Sequence, residues 1–155
     1  MKAVAGEAEL AAVARMLIGE GASRDASEDR LVGKDIQPDL GTVETMRALI
    51  ATGKDPLGET FCRLRGNVER RRLGAIYTPD TIVGGMMQWA ARQGNEPARI
   101  VDPGSGSGRF ILAAAARFPN AELIAVDIDP LAMLILRGNA AVRGMALRIT
   151  VYWDD

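Results

Sequence analysis

The sequence predicts an α/β fold for the second half of the chain, because short strand-like runs alternate there with helix-length patterns. The runs at 98–102, 121–127 and 147–153 are rich in β-branched and other apolar residues, and the segments at about 107–118 and 130–143 are typical of helices. Right-handed crossovers between consecutive strands give a parallel sheet in the spatial order 3-2-1. A ligand is then expected beyond the carboxyl ends of the strands.

The first half of the chain predicts a helical region. Apolar residues recur at three- and four-residue spacing over 7–19, 41–51 and 57–71, with turn-forming connectors between these segments. We therefore divide the chain into a helical region, 1–73, and an α/β region, 74–155. Five arginines cluster in the helical region: Arg63, Arg65, Arg70, Arg71 and Arg72. Such a run is more often a solvated helix face than a phosphate contact, and it contains no aromatic residue for base stacking.

The composition is that of an ordinary globular domain and excludes several kinds of site. The 155 residues are 48% hydrophobic and 25% charged, with a net charge of −1. The chain has no histidine and a single cysteine, Cys62, so we predict no metal site, no disulfide framework and no histidine-based triad. We expect Cys62 to be a buried packing residue of the helical region. No signal peptide or membrane span is evident, which predicts a cytoplasmic protein without a membrane partner.

A glycine-rich stretch, "DPGSGSGRF", follows the first predicted strand. Its glycines and first serine are Gly104, Ser105, Gly106 and Gly108. Glycine permits positive φ and removes the Cβ atoms that would hold a ligand away from the backbone. Because a strand precedes this loop and a helix follows it, we interpret the loop as a ligand site.

The residues after the loop disfavour two common nucleotide ligands. A phosphate-binding P-loop needs Gly-Lys-Ser/Thr, whereas Gly108 is followed by Arg109 and Phe110. A dinucleotide-binding loop needs a small residue where Arg109 stands. Nucleoside triphosphates and dinucleotides are therefore disfavoured.

Acidic residues end all three predicted strands. Asp102 follows the first strand, Asp127 the second, and Asp154 and Asp155 the third. An acidic rim repels a pyrophosphate and suits a ligand that carries a ribose, an amine and a positive sulfonium. S-adenosylmethionine is such a ligand, and we predict it as the cofactor.

Two aspartates compete for the ribose. Asp127 lies 23 residues after Gly104, near the spacing of about 20 residues at which an acid accepts hydrogen bonds from ribose hydroxyls. Asp129 stands before Pro130, which is typical of a helix N-cap with proline in the first turn. We therefore favour Asp127.

Three segments resemble a known family. "GAIYTPDTIV", "RIVDPGSGSGRF" and "ELIAVDIDPLAM" are similar to the first conserved blocks of the adenine-specific DNA methyltransferases of restriction–modification and phage-defence systems. The resemblance covers about residues 70–155. The glycine loop and its acid are general to enzymes that use S-adenosylmethionine, and the Tyr-Thr-Pro block is the more specific part. The resemblance implies a Rossmann-like class I methyltransferase half-domain.

The resemblance also implies roles for individual residues at the cofactor. Tyr77, Thr78 and Pro79 would contact its methionine portion. Asp102, Gly104 and Gly106 would line the methionine end, within a loop completed by Ser105 and Gly108. Asp127 would take the ribose hydroxyls, Ile128 would lie against the adenine, and Asp155, or alternatively Asp154, would accept from the adenine amino group. Thr78, Pro79 and Asp80 also describe an ordinary helix start with Thr78 as the N-cap.

The family's catalytic block does not occur in this sequence. That block is Asn/Asp/Ser-Pro-Pro-Tyr/Phe, and the chain contains no Pro-Pro dipeptide, so we place no catalytic residue here. The first strand, central in the full fold, would also present an unpaired edge. We expect these residues to be the amino-terminal, cofactor-binding part of a larger enzyme that methylates adenine in DNA, inactive alone and completed by the missing half of the sheet or by a partner subunit.

Two alternatives remain open at this point. One is a methyltransferase that acts on RNA, protein or a small molecule, and the other is a non-catalytic cofactor-binding module. Met86, Met87 and Trp89 recur at helical spacing, and we expect them to lie in the core.

Overall fold

The computed structural model describes residues 3–19, 26–33, 36–72, 77–94 and 96–154. In this part of the chain the elements are α1 (Glu7–Ile18), α2 (Ala26–Val32), α3 (Leu40–Ala51), α4 (Pro56–Arg72), α5 (Asp80–Arg92), β1 (Arg99–Pro103), α6 (Arg109–Arg117), β2 (Glu122–Asp127), α7 (Pro130–Val142) and β3 (Ile149–Trp153). A short 3-10 turn, Ala146–Arg148, leads into β3. Helix α2 is not among the predicted elements. None of the described helices is both long enough and apolar enough to cross a membrane.

The strands form the parallel sheet that the sequence predicts. The order is β1-β2-β3, with β2 paired to both neighbours. Pro103 lies opposite Val126, which lies opposite Tyr152, so the three strands end at one edge. The residues that follow the strands are thereby brought to a common rim, and the predicted α/β half-domain is confirmed.

Helix α7 lies between two apolar cores. One side packs on the sheet and α6, where Leu123, Ala125 and Leu136 are buried. The other side packs on α1, α3 and α4 and contributes Leu134 and Ile135. Since each buried leucine or isoleucine contributes about 1.5–3 kcal/mol, this second interface fixes the helical region firmly to the α/β region.

Gly138 permits a close approach between α7 and α1. A Cβ on Gly138 of α7 would lie 3.2 Å from the carbonyl oxygen of Ala14 in α1. That distance is tighter than ordinary van der Waals contact, so a larger residue at this position would push α1 away. The division at residue 73 stays a prediction, because the helices on one side of it and α7 on the other share a core.

Helix α5 packs on α6 through one face and leaves the opposite face exposed. Val83 is buried and Met87 packs against the sheet core, whereas Met86 is 51% exposed and Trp89 66% exposed. The expectation that Met86 and Trp89 lie in the core is therefore wrong. Helical spacing shows that a face is apolar, but it does not show that the described chain covers that face.

Part of the arginine cluster takes part in the fold. Arg65 pairs with Glu7 of α1 and with Asp129, and its guanidinium lies 4.5 Å from the ring centroid of Phe61. Arg63 donates to the carbonyl of Val4. These contacts of Arg63 and Arg65 favour neither a free helix face nor a phosphate site. The side chains of Arg70, Arg71 and Arg72 lie outside the described residues. Cys62 is half-buried.

Candidate functional site

The glycine loop between β1 and α6 has the conformation that its sequence predicts. Gly104, Gly106 and Gly108 have φ values of 81°, 54° and 91°, in the left-handed region that favours glycine. Cβ atoms built on Gly104 and Gly106 meet nothing within 4 Å, whereas one on Gly108 would lie 2.8 Å from Cγ of Leu136. The first two glycines therefore leave open space for a ligand, and the third lets the loop pack on α7.

The end of β2 holds this loop in place. The backbone N–H groups of Gly104 and Ser105 donate to the carbonyl oxygen of Val126, at 2.8 and 3.0 Å. The Ser105 hydroxyl donates to the same oxygen, and Gly106 N–H donates to Oδ2 of Asp127 at 2.8 Å. The loop is thus preorganised by its neighbouring strand.

Asp102 carries a buried carboxylate oxygen without a protein partner. Its Oδ2 makes no hydrogen bond to any of the residues that the structure describes. Burial raises the pKa of Asp102, a hydrogen bond from the backbone of Ile111 partly opposes this rise, and the negative charge of Asp127 adds to it. A positively charged ligand beside this carboxylate would relieve both effects.

Asp127 is a structural and a potential binding residue at once. Its Oδ1 accepts from the backbone N–H of Asp129 at 2.9 Å, while Oδ2 holds Gly106. Each carboxylate oxygen can accept a second hydrogen bond, so both still have capacity for a ligand hydroxyl. The side chain of Ile128 is half exposed beside it, and the Trp153 indole donates to the Ile128 carbonyl.

Asp129 has a structural role as a helix cap and ion-pair partner. Its Oδ1 accepts from Leu131 N–H at 3.0 Å and from Ala132 N–H at 3.3 Å, which caps α7, and it pairs with Arg65. The N-cap interpretation of Asp129 is confirmed. Asp154 follows β3 at the same rim and donates its N–H to the carbonyl of Asp127. Asp155, our first choice for the adenine amino group, lies outside the described residues.

The Tyr-Thr-Pro block lies beside the loop. Helix α5 begins at Asp80, Pro79 is its N-cap, and no side chain caps it, so the interpretation of Thr78 as the N-cap is wrong. Tyr77 is partly buried against the core that α7 shares with α1, α3 and α4, and burial raises its pKa. Tyr77 and Thr78 line the cavity beside the loop, whereas Pro79 is not among its lining residues.

A cavity of about 240 Å³ connects the block with the loop. It is lined by Tyr77, Thr78, Asp102, Pro103, Gly104, Ser105, Gly106, Ser107, Arg109 and Phe110. Asp127 and Ile128 are not among these lining residues. Small-molecule pockets are usually about 300–1,000 Å³, so this cavity would take one end of a cofactor and leave the rest along the rim.

Sequence reasoning missed a buried aspartate that reaches this site from the helical region. Asp55 is 4% exposed and accepts hydrogen bonds from the Ser107 hydroxyl at 2.5 Å, Arg109 Nε at 2.9 Å and Asn139 Nδ2 at 3.0 Å. Its Oδ1 also accepts from Gly58 N–H, in the first turn of α4. The signal was present, because an aspartate before Pro56 matches the capping pattern before Pro130.

Comparisons with known proteins agree with this geometry. The family model described as ribosomal protein L11 methyltransferase (PrmA) matches residues 83–155. The chain is 43% identical over 159 residues to the Type II methyltransferase M.XamI of Xanthomonas campestris pv. amaranthicola, covering 96% of this chain and 28% of that protein. The chain carries a Rossmann-like methyltransferase half-domain. Its sequence is similar to methyltransferases of the restriction–modification type, a family that generally uses S-adenosylmethionine.

Two further relatives of the half-domain have names that indicate other substrates. The tRNA1(Val) (adenine(37)-N6)-methyltransferase of Porphyromonas gingivalis is 31% identical over 101 residues, covering 64% of this chain and 34% of that protein. The release factor glutamine methyltransferase of Escherichia coli is 33% identical over 103 residues, covering 63% of this chain and 36% of that protein. The chain thus spans about a third or less of these relatives. No solved structure matches it significantly.

Proposed function

We propose that the chain binds S-adenosylmethionine at the carboxyl edge of its sheet, as the cofactor-binding part of a DNA adenine-N6 methyltransferase. The observation that carries the proposal is the buried Oδ2 of Asp102, which has no hydrogen-bond partner among the described residues and lies beside the open glycine loop. The likeness to a Type II methyltransferase favours DNA, and the Tyr-Thr-Pro block favours adenine.

The described residues fit this cofactor. The methionine end would occupy the cavity, where Tyr77, Thr78 and Asp102 meet the open side of the loop. Its ammonium and sulfonium groups are positively charged and would stabilise the negative charge of the Asp102 carboxylate. The adenosine would then follow the rim, with the ribose at Asp127 and the adenine at Ile128.

The bound cofactor supplies an electrophilic methyl group on its sulfonium. Transfer to an amine needs alignment of the two reacting groups and no covalent enzyme intermediate, so a chain with no histidine can serve this chemistry. The contribution of these residues is to bind and orient the cofactor. A target adenine would be turned out of the DNA stack into a pocket for which we place no residue in this chain.

We further propose that an additional structural unit covers the β1 side of the half-domain. Within the described residues β1 pairs with β2 alone, and Val101 on it is 51% exposed. Ile82, Met86 and Trp89 form an exposed apolar stripe on α5, at positions that share one helix face. The rest of a longer protein or a partner subunit would supply the strand that pairs with β1.

The function is tested with radiolabelled S-adenosylmethionine in the full-length protein. Label recovered in DNA as N6-methyladenine supports the proposal. Asp127→Asn should weaken cofactor binding by about tenfold or more, because a charged hydrogen-bond acceptor is lost. Glu122→Gln is the matched control, since Glu122 is an exposed acid at the opposite end of β2 and should leave binding unchanged.

The other outcomes separate the alternatives. Label in tRNA or in protein, with none in DNA, contradicts the DNA assignment and favours the second candidate, which the tRNA and release factor relatives motivate. Cofactor binding without transfer to any acceptor would indicate a non-catalytic module. A full-length protein that binds no S-adenosylmethionine refutes the proposal as a whole.

A further inference from the structure

The cavity beside the glycine loop contains one basic side chain among its described lining residues. That residue is Arg109, at the first position of α6, and Asp102 is the acidic member of the same lining. The methionine end of S-adenosylmethionine carries a carboxylate as well as its two positive groups. A carboxylate leaving water needs a cation or several N–H donors to replace its hydration.

We infer that Arg109 binds the carboxylate of the cofactor's methionine portion, and that Asp55 is the positioning residue that holds Arg109 for this contact. The inference rests on the proposed function, since it assigns a group of the same cofactor. It adds a specificity-determining residue that the resemblance to the methyltransferase family does not supply.

The protein contacts of Arg109 use two of the three nitrogens of its guanidinium. Nε donates to Asp55 Oδ2 at 2.9 Å, and Nη1 donates to the Thr78 carbonyl at 3.0 Å and lies 3.4 Å from Asp80 Oδ1. A guanidinium has five N–H donors, and the two on Nη2 have no hydrogen-bond partner in the described ranges. Arg109 can therefore keep its protein contacts and still donate to a ligand.

The surroundings fix both the position and the charge of Arg109. The side chain is 17% exposed, and its guanidinium carbon lies 5.0 Å from the ring centroid of Tyr77, a cation–π contact. Burial opposes the charge, but the hydrogen bond and negative charge of Asp55 outweigh it and raise the pKa of Arg109. Asp55 itself is fixed by Ser107 and Asn139.

A purely structural role for Arg109 makes a different prediction. Arg109 links Asp55 of the helical region to Thr78 of the Tyr-Thr-Pro block, so its loss could loosen the whole site. In that case every cofactor analogue would bind more weakly by the same factor. If Arg109 contacts the carboxylate, only ligands that carry this group lose affinity selectively.

The experiment compares two ligands that differ by the carboxylate alone. Titration calorimetry of the full-length protein is carried out with S-adenosylmethionine and with decarboxylated S-adenosylmethionine. The wild-type protein should prefer the former by about tenfold to a hundredfold, the usual effect of a charge-assisted hydrogen bond. Arg109→Gln should bring the two affinities to within about threefold of one another, mainly by weakening the carboxylated ligand.

Three further variants make the result decisive. Arg109→Lys keeps the charge without the planar fork and should retain part of the preference. Asp55→Asn should reduce the preference through Arg109 without abolishing cofactor binding. Arg117→Gln, which removes an arginine at the far end of the same helix, should change neither affinity.

The results that overturn the inference are distinct from failure of the proposed function. An equal loss of both affinities in Arg109→Gln and in Arg109→Lys, with the preference ratio unchanged, would show that Arg109 is only structural. A wild-type protein that binds both ligands equally would also overturn it. Binding of neither ligand by the wild-type protein would instead refute the cofactor site itself.

Discussion

Replacing Gly58 by alanine should disrupt the hydrogen bonds between Asp55 of the helical region and the residues of the glycine loop. Gly58 lies in the first turn of α4, and a Cβ there would be 2.2 Å from Asp55 Oδ2 and 2.7 Å from the Ser107 hydroxyl oxygen. Ordinary contact begins at 3.4 Å, so the carboxylate oxygen would have to move by more than 1 Å. That shift would break its hydrogen bonds to Ser107 and Arg109.

The expected cost is about 3 kcal/mol in the free energy of unfolding. Overpacking of a tight site costs about 1–3 kcal/mol, and loss of a hydrogen bond to a charged group costs about 1.5–3 kcal/mol. Because Asp55 is almost completely buried, water does not replace its lost partners. For a protein of this size or somewhat larger, about 3 kcal/mol corresponds to a fall of about 6–12 °C in melting temperature.

Urea denaturation and thermal melting of single and double variants measure this cost. Gly84→Ala is the matched control, because Gly84 lies in helix α5 with no atom within 4 Å of the new Cβ, and alanine there should stabilise by up to about 1 kcal/mol. An Asp55→Ser background removes the colliding carboxylate oxygen, retains a capping hydroxyl, and releases the Ser107 hydroxyl, which can then rotate away from the new Cβ. In that background Gly58→Ala should cost less than about 1 kcal/mol. The full cost persisting in that background would refute the steric reasoning.

Three further changes have expected outcomes. Asp102→Asn should raise the melting temperature at pH 7, because burial raises the pKa of Asp102 and its ionisation costs stability as the pH rises above about 4. The same change should weaken the binding of S-adenosylmethionine about tenfold in calorimetry, and an unchanged affinity would argue against a cofactor role for Asp102. Gly104→Ala, at φ 81°, should cost about 1–2 kcal/mol in urea denaturation, and a neutral result would mean that the loop adopts another conformation. Arg65→Met should cost about 2–3 kcal/mol in the same assay, because Glu7 and Asp129 lose their cation. A cost that falls to near zero at high salt would show instead that the pair is solvated and screened.

The α/β half was predictable because its signals are local. The helix predicted at 130–143 is observed at Pro130–Val142, and the strand predicted at 98–102 is Arg99–Pro103. The aspartate and proline at 129 and 130 mark the start of α7. β1 has only five residues, so the bounds predicted for it cannot be far from the observed ones. The positive φ values of the loop are possible because those three positions are glycine.

Features that depend on distant contacts were not predictable in the same way. Asp55 lies 52 residues before Ser107 in the chain, and only the packing of α4 on α7 brings the two together. Helix α2, with the sequence "ASEDRLV", has few apolar residues and is fixed by contacts such as the pair between Glu28 and Arg137 of α7. The exposure of Trp89 depends on which surface covers α5, and the periodicity of the helix does not contain that information.

The glycine loop is held from two sides, and this gives the helical region a part in the site. On one side, Asp127 at the end of β2 holds Gly106 through its backbone N–H. On the other side, Asp55 holds the side chains of Ser107 and Arg109, and Asn139 binds both Asp55 and the Ser107 carbonyl. Asn139 is completely buried, so without Asp55 it would lose a partner that no water could replace. The conformation of the glycine loop therefore depends on Asp55 in the helical region, and the helices before residue 73 help to shape the cavity.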